Sequence, residues 1–288
     1  MNVKKMRCGG AGISFTVCAI LALFVWVPLV MLFAASFMDS VELKDAYGAV
    51  LGSSSDAFAT GRFIPQYPTL AAYIEILFDS PEFFVMFWNS VKQTLGGVAG
   101  QLLFGVPAAW AFARYDFPLK RFLFTLYIIL MIMPFQVTMV SSYIMLNNLS
   151  LMDTPWSIIL PCAFSAFPVF IMTKFFRSIP RPLIEAAEID GAGEWQIFTR
   201  IGLPLGAPGI VAVVVMGFLE NWNLLEQPLT FLKNKTNWPL SLYIPTVSTE
   251  RAAIAIVAAV LAMTPALLIF LFGQRQLEQG IIASGIKE

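Results

Sequence analysis

The sequence predicts an all-α, polytopic membrane protein with about six transmembrane helices and a short cytoplasmic helical hairpin between the fourth and fifth spans. Three observations predict it. The 288 residues are 58% hydrophobic and 12% charged, with a mean hydropathy of +0.75. Soluble domains average roughly 45–50% apolar and about 25% charged. About six runs approach the ~20 apolar residues that a bilayer crossing needs. Lys and Arg cluster at alternate ends of those runs, as the positive-inside rule requires.

Lys4, Lys5 and Arg7 precede the first run, Ile13–Phe37. A cleaved signal peptide has an apolar core of about 7–15 residues. This run is longer, so it reads as a retained first span with a cytoplasmic N-terminus. The segment Asp39–Glu82 then lies outside. It is acid-rich (Asp39, Glu42, Asp45, Asp56, Glu75, Asp79, Glu82) and carries a turn-like run, Gly52–Asp56. After Pro68, Tyr73–Phe78 predicts a short amphipathic helix at the outer surface.

The second span is Phe84–Ala113, and its Gly96-Gly-Val-Ala-Gly100 spacing permits close helix approach. Arg114, Lys120 and Arg121 place the connection to the third span, Phe122–Leu146, in the cytoplasm. The fourth span is Trp156–Phe176. Lys174, Arg177, Arg181 and Arg200 put its connection to the fifth, Leu205–Leu225, inside as well. The sixth is Ala252–Gly273, which leaves the Arg275–Glu288 tail in the cytoplasm. Pro28, Pro107, Pro134, Pro161, Pro168 and Pro265 fall within spans. Each kinks its helix and frees a carbonyl. Either neighbouring helices cover the freed groups, or the kinks shape a path and serve as bending points.

The stretch Arg181–Pro208 is a charged island in this apolar chain. Pro180 and Pro182 stop the fourth span, and Pro182 suits the first turn of a new helix from Leu183 to Ile189. Glu185 and Glu188 favour the positive end of its dipole. Gly191 and Gly193 break the chain. A second short helix starts at Glu194, carries Trp195, Ile197, Phe198 and Ile201, and is expected to end at Pro204. A hairpin lying on lipid headgroups wants basic residues on its polar face. This one carries Glu185, Glu188, Asp190 and Glu194, which an anionic leaflet repels. Docking to a soluble protein is the favoured reading.

Several chemistries find no support. The chain has no histidine, the commonest metal ligand and general base. Cys8, Cys18 and Cys162 form no CxxC pair and read as small buried residues, so no metal site is expected. Formal net charge is +0, which gives no field for nucleic acid. HExxH, GxSxG and GxxxxGK[ST] are absent, and intramembrane acids are scarce, which argues against an intramembrane enzyme and against ATP binding by a phosphate loop.

Glu185-Ala-Ala, Gly191, and then Ile201-x-Leu203-Pro204 at fixed spacing resemble the signature loop of permease subunits of binding-protein-dependent ABC importers. The longer Glu-Ala-Ala-Glu-Ile-Asp-Gly-Ala form is similar to the carbohydrate (maltose-type) importers. So are Asn89-Ser90, Ala111-Phe-Ala-Arg114, Met133-Pro134, Leu151-Met-Asp-Thr154, Ser178-Ile-Pro180, Trp222-Asn223 and Pro228-Leu229. The resemblance covers about Asn89 to Leu240. It implies that the hairpin is a coupling helix seated in a cleft on a cytoplasmic ATPase subunit, with Glu185, Ala186, Ala187, Asp190, Gly191, Ile201, Leu203 and Pro204 as the coupling residues. It further implies two such ATPases carrying ATP and Mg, an external solute-binding protein, and a second permease. That second permease is a homologue in a heterodimer or another copy of this chain. No cofactor is expected on this chain itself. Residues 1–83 would form an N-terminal span and external segment, and 84–288 the permease domain.

The resemblance implies import of a sugar or oligosaccharide by alternating access at the cytoplasmic membrane. The alternative is a non-sugar solute such as glycerol phosphate or a polyol. A sugar site wants amides and carboxylates interleaved with aromatics. Glu220, Asn221, Trp222 and Asn223, with Asn147 and Asn148, supply that chemistry, although Trp and Asn are also ordinary interfacial anchors. Lys92 departs from the pattern by sitting inside the second span. It snorkels, faces a water-filled path, or pairs with Glu220.

Overall fold

The computed structural model describes residues 4–47, 62–243 and 251–285, with side chains over 14–47, 62–243 and 251–275. No strand occurs among the described residues. The Gly52–Asp56 run lies outside them. They fall into two compact units, divided after Pro81, Tyr243 and Leu261.

The first unit opens with α1 (Lys4–Ala35), whose span Ser14–Ala35 buries none of its most apolar window. A helix that faces lipid satisfies its backbone internally and can leave its side chains unpacked. Next come α2 (Ser40–Tyr47) and α3 (Ala71–Ile74), the latter running into a wide π-turn at Glu75–Asp79. The helix expected at Tyr73–Phe78 is therefore present, in two geometries. Buried Glu42 accepts the N–H groups of Gln66 and Tyr67 at 2.7 and 3.2 Å. Those donors offset the cost of burying its charge and fix the loop beside α2.

The second unit holds α4 (Pro81–Arg114), α5 (Lys120–Ile132), α6 (Phe135–Asn148), α7 (Trp156–Ala163), α8 (Ala166–Ser178), α9 (Arg181–Ile189), α10 (Glu194–Ile197), α11 (Leu203–Trp222) and α12 (Glu226–Phe231). The last helix, α13 (Ala252–Gly285), passes from the first unit into the second. Among the described residues, five helices are long and apolar enough to cross a membrane, or six if the bent α5–α6 pair is one span.

Two expectations about continuity are corrected, each at a proline. The third span is not one helix: α5 and α6 meet at 104°. Pro134 has no N–H, and its ring drives Met133 to an extended ψ of 123°. The fourth span is one candidate span, Trp156–Ser178, as expected, with a local interruption at Phe164-Ser165 where Pro168 cannot donate to the Phe164 carbonyl one turn back. Pro204 does the opposite of what was expected. It does not end the hairpin's second helix, and Glu194–Trp222 runs on as one span. A π-turn at Phe198–Gly202 precedes it, and Leu203 N–H reaches back to Phe198 O. The widened turn makes room for a proline ring that an α-turn would clash with.

Close packing follows the small residues. Gly96, Gly97 and Gly100 of α4 lie against Ile159, Cys162 and Ala163 of α7, so the small-xxx-small spacing is a real contact. Gly206 and Gly209 of α11 receive the rings of Phe176 and Phe175. At the Asn89 end of this unit, buried polar groups of α4 hold the chain around 233–240. Asn89 Nδ2 donates to Thr236 O (2.6 Å) and Trp238 O (3.2 Å), and Gln93 Nε2 donates to Asn237 O (3.0 Å). Ser90 Oγ accepts from Leu240 N–H at 2.7 Å. Asp153 Oδ1 accepts from Lys233 and Asn234 N–H at 3.0 and 2.9 Å.

Candidate functional site

The candidate site is the hairpin formed by α9, the turn after it, and the start of the Glu194–Trp222 helix. Helix α9 begins with Pro182 in its first turn, where a missing N–H costs nothing. It ends in a Schellman turn. Ala192 N–H bonds Ala187 O at 2.9 Å, Gly191 N–H bonds Glu188 O at 3.0 Å, and Gly191 sits at φ +80°. That φ is left-handed, which explains why glycine stands there. The small Ala187 and Ala192 both pack on the adjoining core, completing the motif. The next helix opens with Gly193 N–H bonded to Gln196 Oε1 at 3.1 Å.

No residue of α9 is buried. Glu185, Glu188 and Asp190 are exposed, and so are large apolar side chains: Leu183 (48%), Ile189 (87%) and Trp195 (72%). Exposed apolar groups rimmed by carboxylates suit a protein surface better than water or lipid headgroups. Ala186 is exposed and Ala187 half-buried, so a partner can approach the α9 backbone closely at Ala186.

The hairpin rests on the last turn of α4. Arg114 Nη2 donates to Ile179 O at 2.9 Å, just before α9, and its guanidinium lies 5.3 Å from the Trp110 ring centre. The Tyr115 hydroxyl donates to Glu194 Oε2 at 2.7 Å. Burial pushes that hydroxyl above its ordinary value of 10.0, and the Glu194 carboxylate adds to the push against a weaker opposing pull from Trp110. A cleft of about 240 Å³ opens between these elements, lined by Arg114, Tyr115, Arg181, Glu185, Glu188 and Glu194, among others. Among the described residues no group of His, Cys, Asp or Glu could hold a metal ion.

The sequence pattern of the binding-protein-dependent transport system inner membrane component matches residues 101–283. The chain belongs to that family. It is a permease subunit of an ABC importer, a transport component rather than an enzyme. It is 30% identical over 96% of its length to the arabinooligosaccharides transport system permease protein of Halalkalibacterium halodurans, covering 95% of that chain. It is also 30% identical to the lactose transport system permease protein of Rhizobium radiobacter, over 69% of this chain and 74% of the other. The crystal structure of a bacterial ABC transporter involved in the import of the acidic polysaccharide alginate matches its fold at a TM-score of 0.76. The sequence identity there is 21%, covering 96% of this chain and 98% of that one.

In the permease, the eight sequence-predicted coupling residues divide in two. Glu185, Ala186, Ala187, Asp190 and Gly191 lie in α9 and its turn. Ile201 lies in the π-turn, and Leu203 and Pro204 in the first turn of α11. Leu203 packs on the core, so this second group shapes the base of the hairpin. The candidate path residues are scattered. Lys92 is exposed on α4, and Asn147 and Asn148 are exposed at the end of α6. Glu220 is exposed in the last turn of α11, and Asn223 Nδ2 bonds its own helix at Leu219 O (2.8 Å). Trp222 is 5% exposed, stacked on Phe218 with its Nε1 donating to Ala262 O at 2.9 Å. Asn221 Nδ2 is buried and lies near the backbone of Gly97. Among the described residues Lys92 and Glu220 form no ion pair.

Sequence reasoning did not single out Tyr115 or Glu194 as a pair, nor the grip of Arg114 on Ile179. The signal available was a tyrosine directly after a basic helix end, in a chain whose hairpin is acidic.

Proposed function

We propose that this permease carries a sugar or oligosaccharide across the cytoplasmic membrane by alternating access. An external binding protein delivers the solute. Two cytoplasmic ATPase subunits, which bind ATP and Mg, drive the cycle. A second permease, homologous or identical, completes the path. Both termini and the hairpin face the cytoplasm in this reading. The carbohydrate assignment is supported by relatives whose names specify arabinooligosaccharides and lactose.

One observation carries the mechanical part: α9 and its turn present carboxylates together with Leu183 and Ile189 to the surroundings. That exposed face is where an ATPase seats, with Glu185 facing a basic group of the ATPase and Ala186 admitting close contact. Gly191 holds the turn that ends the seat. Closure of the ATPases on ATP moves the hairpin, and the spans that begin and end there move with it. The exposed Asn147, Asn148, Glu220 and Asn223 are the groups available to solute.

The test is reconstitution in vesicles with the second permease, the ATPase and the binding protein. Uptake is measured against oligosaccharides, polyols and glycerol phosphodiesters. Binding-protein-dependent uptake of a sugar is expected. Uptake confined to a polyol or a phosphodiester would overturn the carbohydrate assignment. Glu185→Lys is expected to abolish co-purification of the ATPase, and unaltered assembly in that variant would sink the seat.

A further inference from the structure

The last turn of α4 holds both limbs of the hairpin. Arg114 grips the backbone carbonyl of Ile179 before α9 at 2.9 Å. Arg177 Nη2 reaches Phe112 O at 3.4 Å in the other direction. Beyond the turn, Trp110 lies under Gly202 at the base of α11. These contacts are buried or half-buried and serve the core. The bond from Tyr115 to Glu194 differs from them. It joins two side chains at the rim of the open cleft, and neither side chain belongs to the apolar core.

Its endpoints matter. Tyr115 follows directly on the 34 residues of α4, and Glu194 is the first residue of the 29-residue helix that runs to Trp222. Beside the buried packing of Trp110 on Phe198, this hydrogen bond therefore ties the end of one spanning helix to the start of another, across the mouth of the hairpin. The turn between α9 and Glu194 is closed on the α9 side by backbone bonds, Ala192 N–H to Ala187 O and Gly191 N–H to Glu188 O. Gly191 and Gly193 have no heavy atom within 4 Å of where a Cβ would stand. Packing of Ile184, Ala187 and Ala192 carries a push on α9 into the core, and the Tyr115–Glu194 bond adds a direct polar tie at the exposed rim.

We propose that Tyr115 and Glu194 form a latch that passes hairpin displacement to the second and fifth spans together, which makes them positioning residues for transport. The proposal rests on the reading of the hairpin as the ATPase seat. The seat itself lies on α9, at Leu183, Glu185, Ala186 and Ile189, so a cut latch leaves docking intact. Without the latch the end of α4 follows the hairpin less closely, and less solute is moved per nucleotide consumed. A carboxylate is not required for the bond. An amide oxygen accepts from a tyrosine hydroxyl as well, so Glu194→Gln preserves the latch while Glu194→Ala removes it.

The experiment uses the complete reconstituted complex with Tyr115→Phe, Glu194→Ala, Glu194→Gln and the double variant Tyr115→Phe/Glu194→Ala. Three quantities are read: ATPase co-purification, binding-protein-stimulated hydrolysis, and solute moved per ATP hydrolysed. Assembly and hydrolysis should persist in all four. Solute per ATP should fall about threefold to tenfold in Tyr115→Phe and Glu194→Ala, the span of one net hydrogen bond. The double variant should fall no further, and Glu194→Gln should match the wild type. An unchanged ratio in the two single variants overturns the latch, as does an additive double variant. Loss of ATPase co-purification in a single variant also overturns it, because the role would then be docking. A wild-type complex that moves no member of the solute panel rejects the functional reading, and the latch with it.

Discussion

Gly202 and the Trp110 indole meet with no room for a methyl group. A Cβ on Gly202 would stand 2.6 Å from ring carbon Cζ3, nearer than real Cβ contacts come. The ring cannot retreat: Trp110 is 4% exposed, edge-on to Phe176 at 5.3 Å and tilted against Phe198 at 5.6 Å. Gly202→Ala should overpack this core and cost about 1–3 kcal/mol. The check is the thermal unfolding midpoint of the detergent-solubilised permease. Trp110→Phe in the same chain should recover part of the loss by shrinking the ring. A Gly202→Ala chain that melts like the wild type would mean the contact is loose.

Gly191 is constrained by backbone conformation, not by space. Its φ is +80° and no heavy atom lies within 4 Å of an added Cβ. An L-residue in that region costs about 1–2 kcal/mol. Gly191→Ala should loosen the Schellman turn and speed exchange of the Ala192 amide, which bonds Ala187 O. Gly191→Asn should do so less, since asparagine tolerates the left-handed region. Gly193 supplies the control, because its φ is −72° and its surroundings are equally open. Gly193→Ala should leave exchange at Ala192 nearly unchanged.

Asp153 ties the 233–240 stretch through the Lys233 and Asn234 amides, and these bonds hold its carboxyl below the ordinary value of 3.8, the Asn234 bond most strongly. A depressed folded value means that stabilisation is fully present above the unfolded pKa and is lost as pH falls through the folded one. Exchange at the Lys233 and Asn234 amides should therefore keep its protection from neutral pH down to about 4. Protection should fall only below 3.8. Asp153→Asn keeps an acceptor but no charge, and it should flatten that pH dependence. Loss of protection already near pH 6 would assign the anchoring to another group.

What the sequence revealed, and what it hid, sort by the range of the interactions. Hydropathy and basic clusters are local, so the spans near Ile13, Phe84 and Ala252 are found close to where the helices lie. The hairpin's first helix is legible for the same reason: Pro182 and Gly191 act on their own neighbours. The prolines inside the bundle are less legible. Pro134 and Pro204 each lack one donor, yet one breaks a span by 104° and the other is absorbed in a π-turn. Which outcome occurs depends on what packs alongside, and a single sequence does not contain that. The grip of Asn89, Ser90 and Gln93 on residues about 150 positions away has no local signature beyond polar side chains at helical spacing. The Tyr115–Glu194 bond spans 79 positions and was hidden for the same reason.

Lys92 offers the sharpest test of a membrane charge. It is exposed on α4, one turn from exposed Trp88, and among the described residues no ion pair joins it to Glu220. Four residues of helix rise about 6 Å. A lysine stem spans that distance, so the ammonium can reach the interface where tryptophan anchors. Replacement by leucine should then ease membrane insertion, by less than the ~2.5–3.5 kcal/mol that a charge costs at mid-bilayer. Glu220→Gln should act independently. Insertion efficiency and uptake of Lys92→Leu/Glu220→Gln should match the sum of the single variants to within about 0.3–0.5 kcal/mol, as expected for sites with no shared partner. A larger departure would show that the two charges meet at another stage of the transport cycle, and Lys92 would then belong to the path and not to the lipid-facing surface.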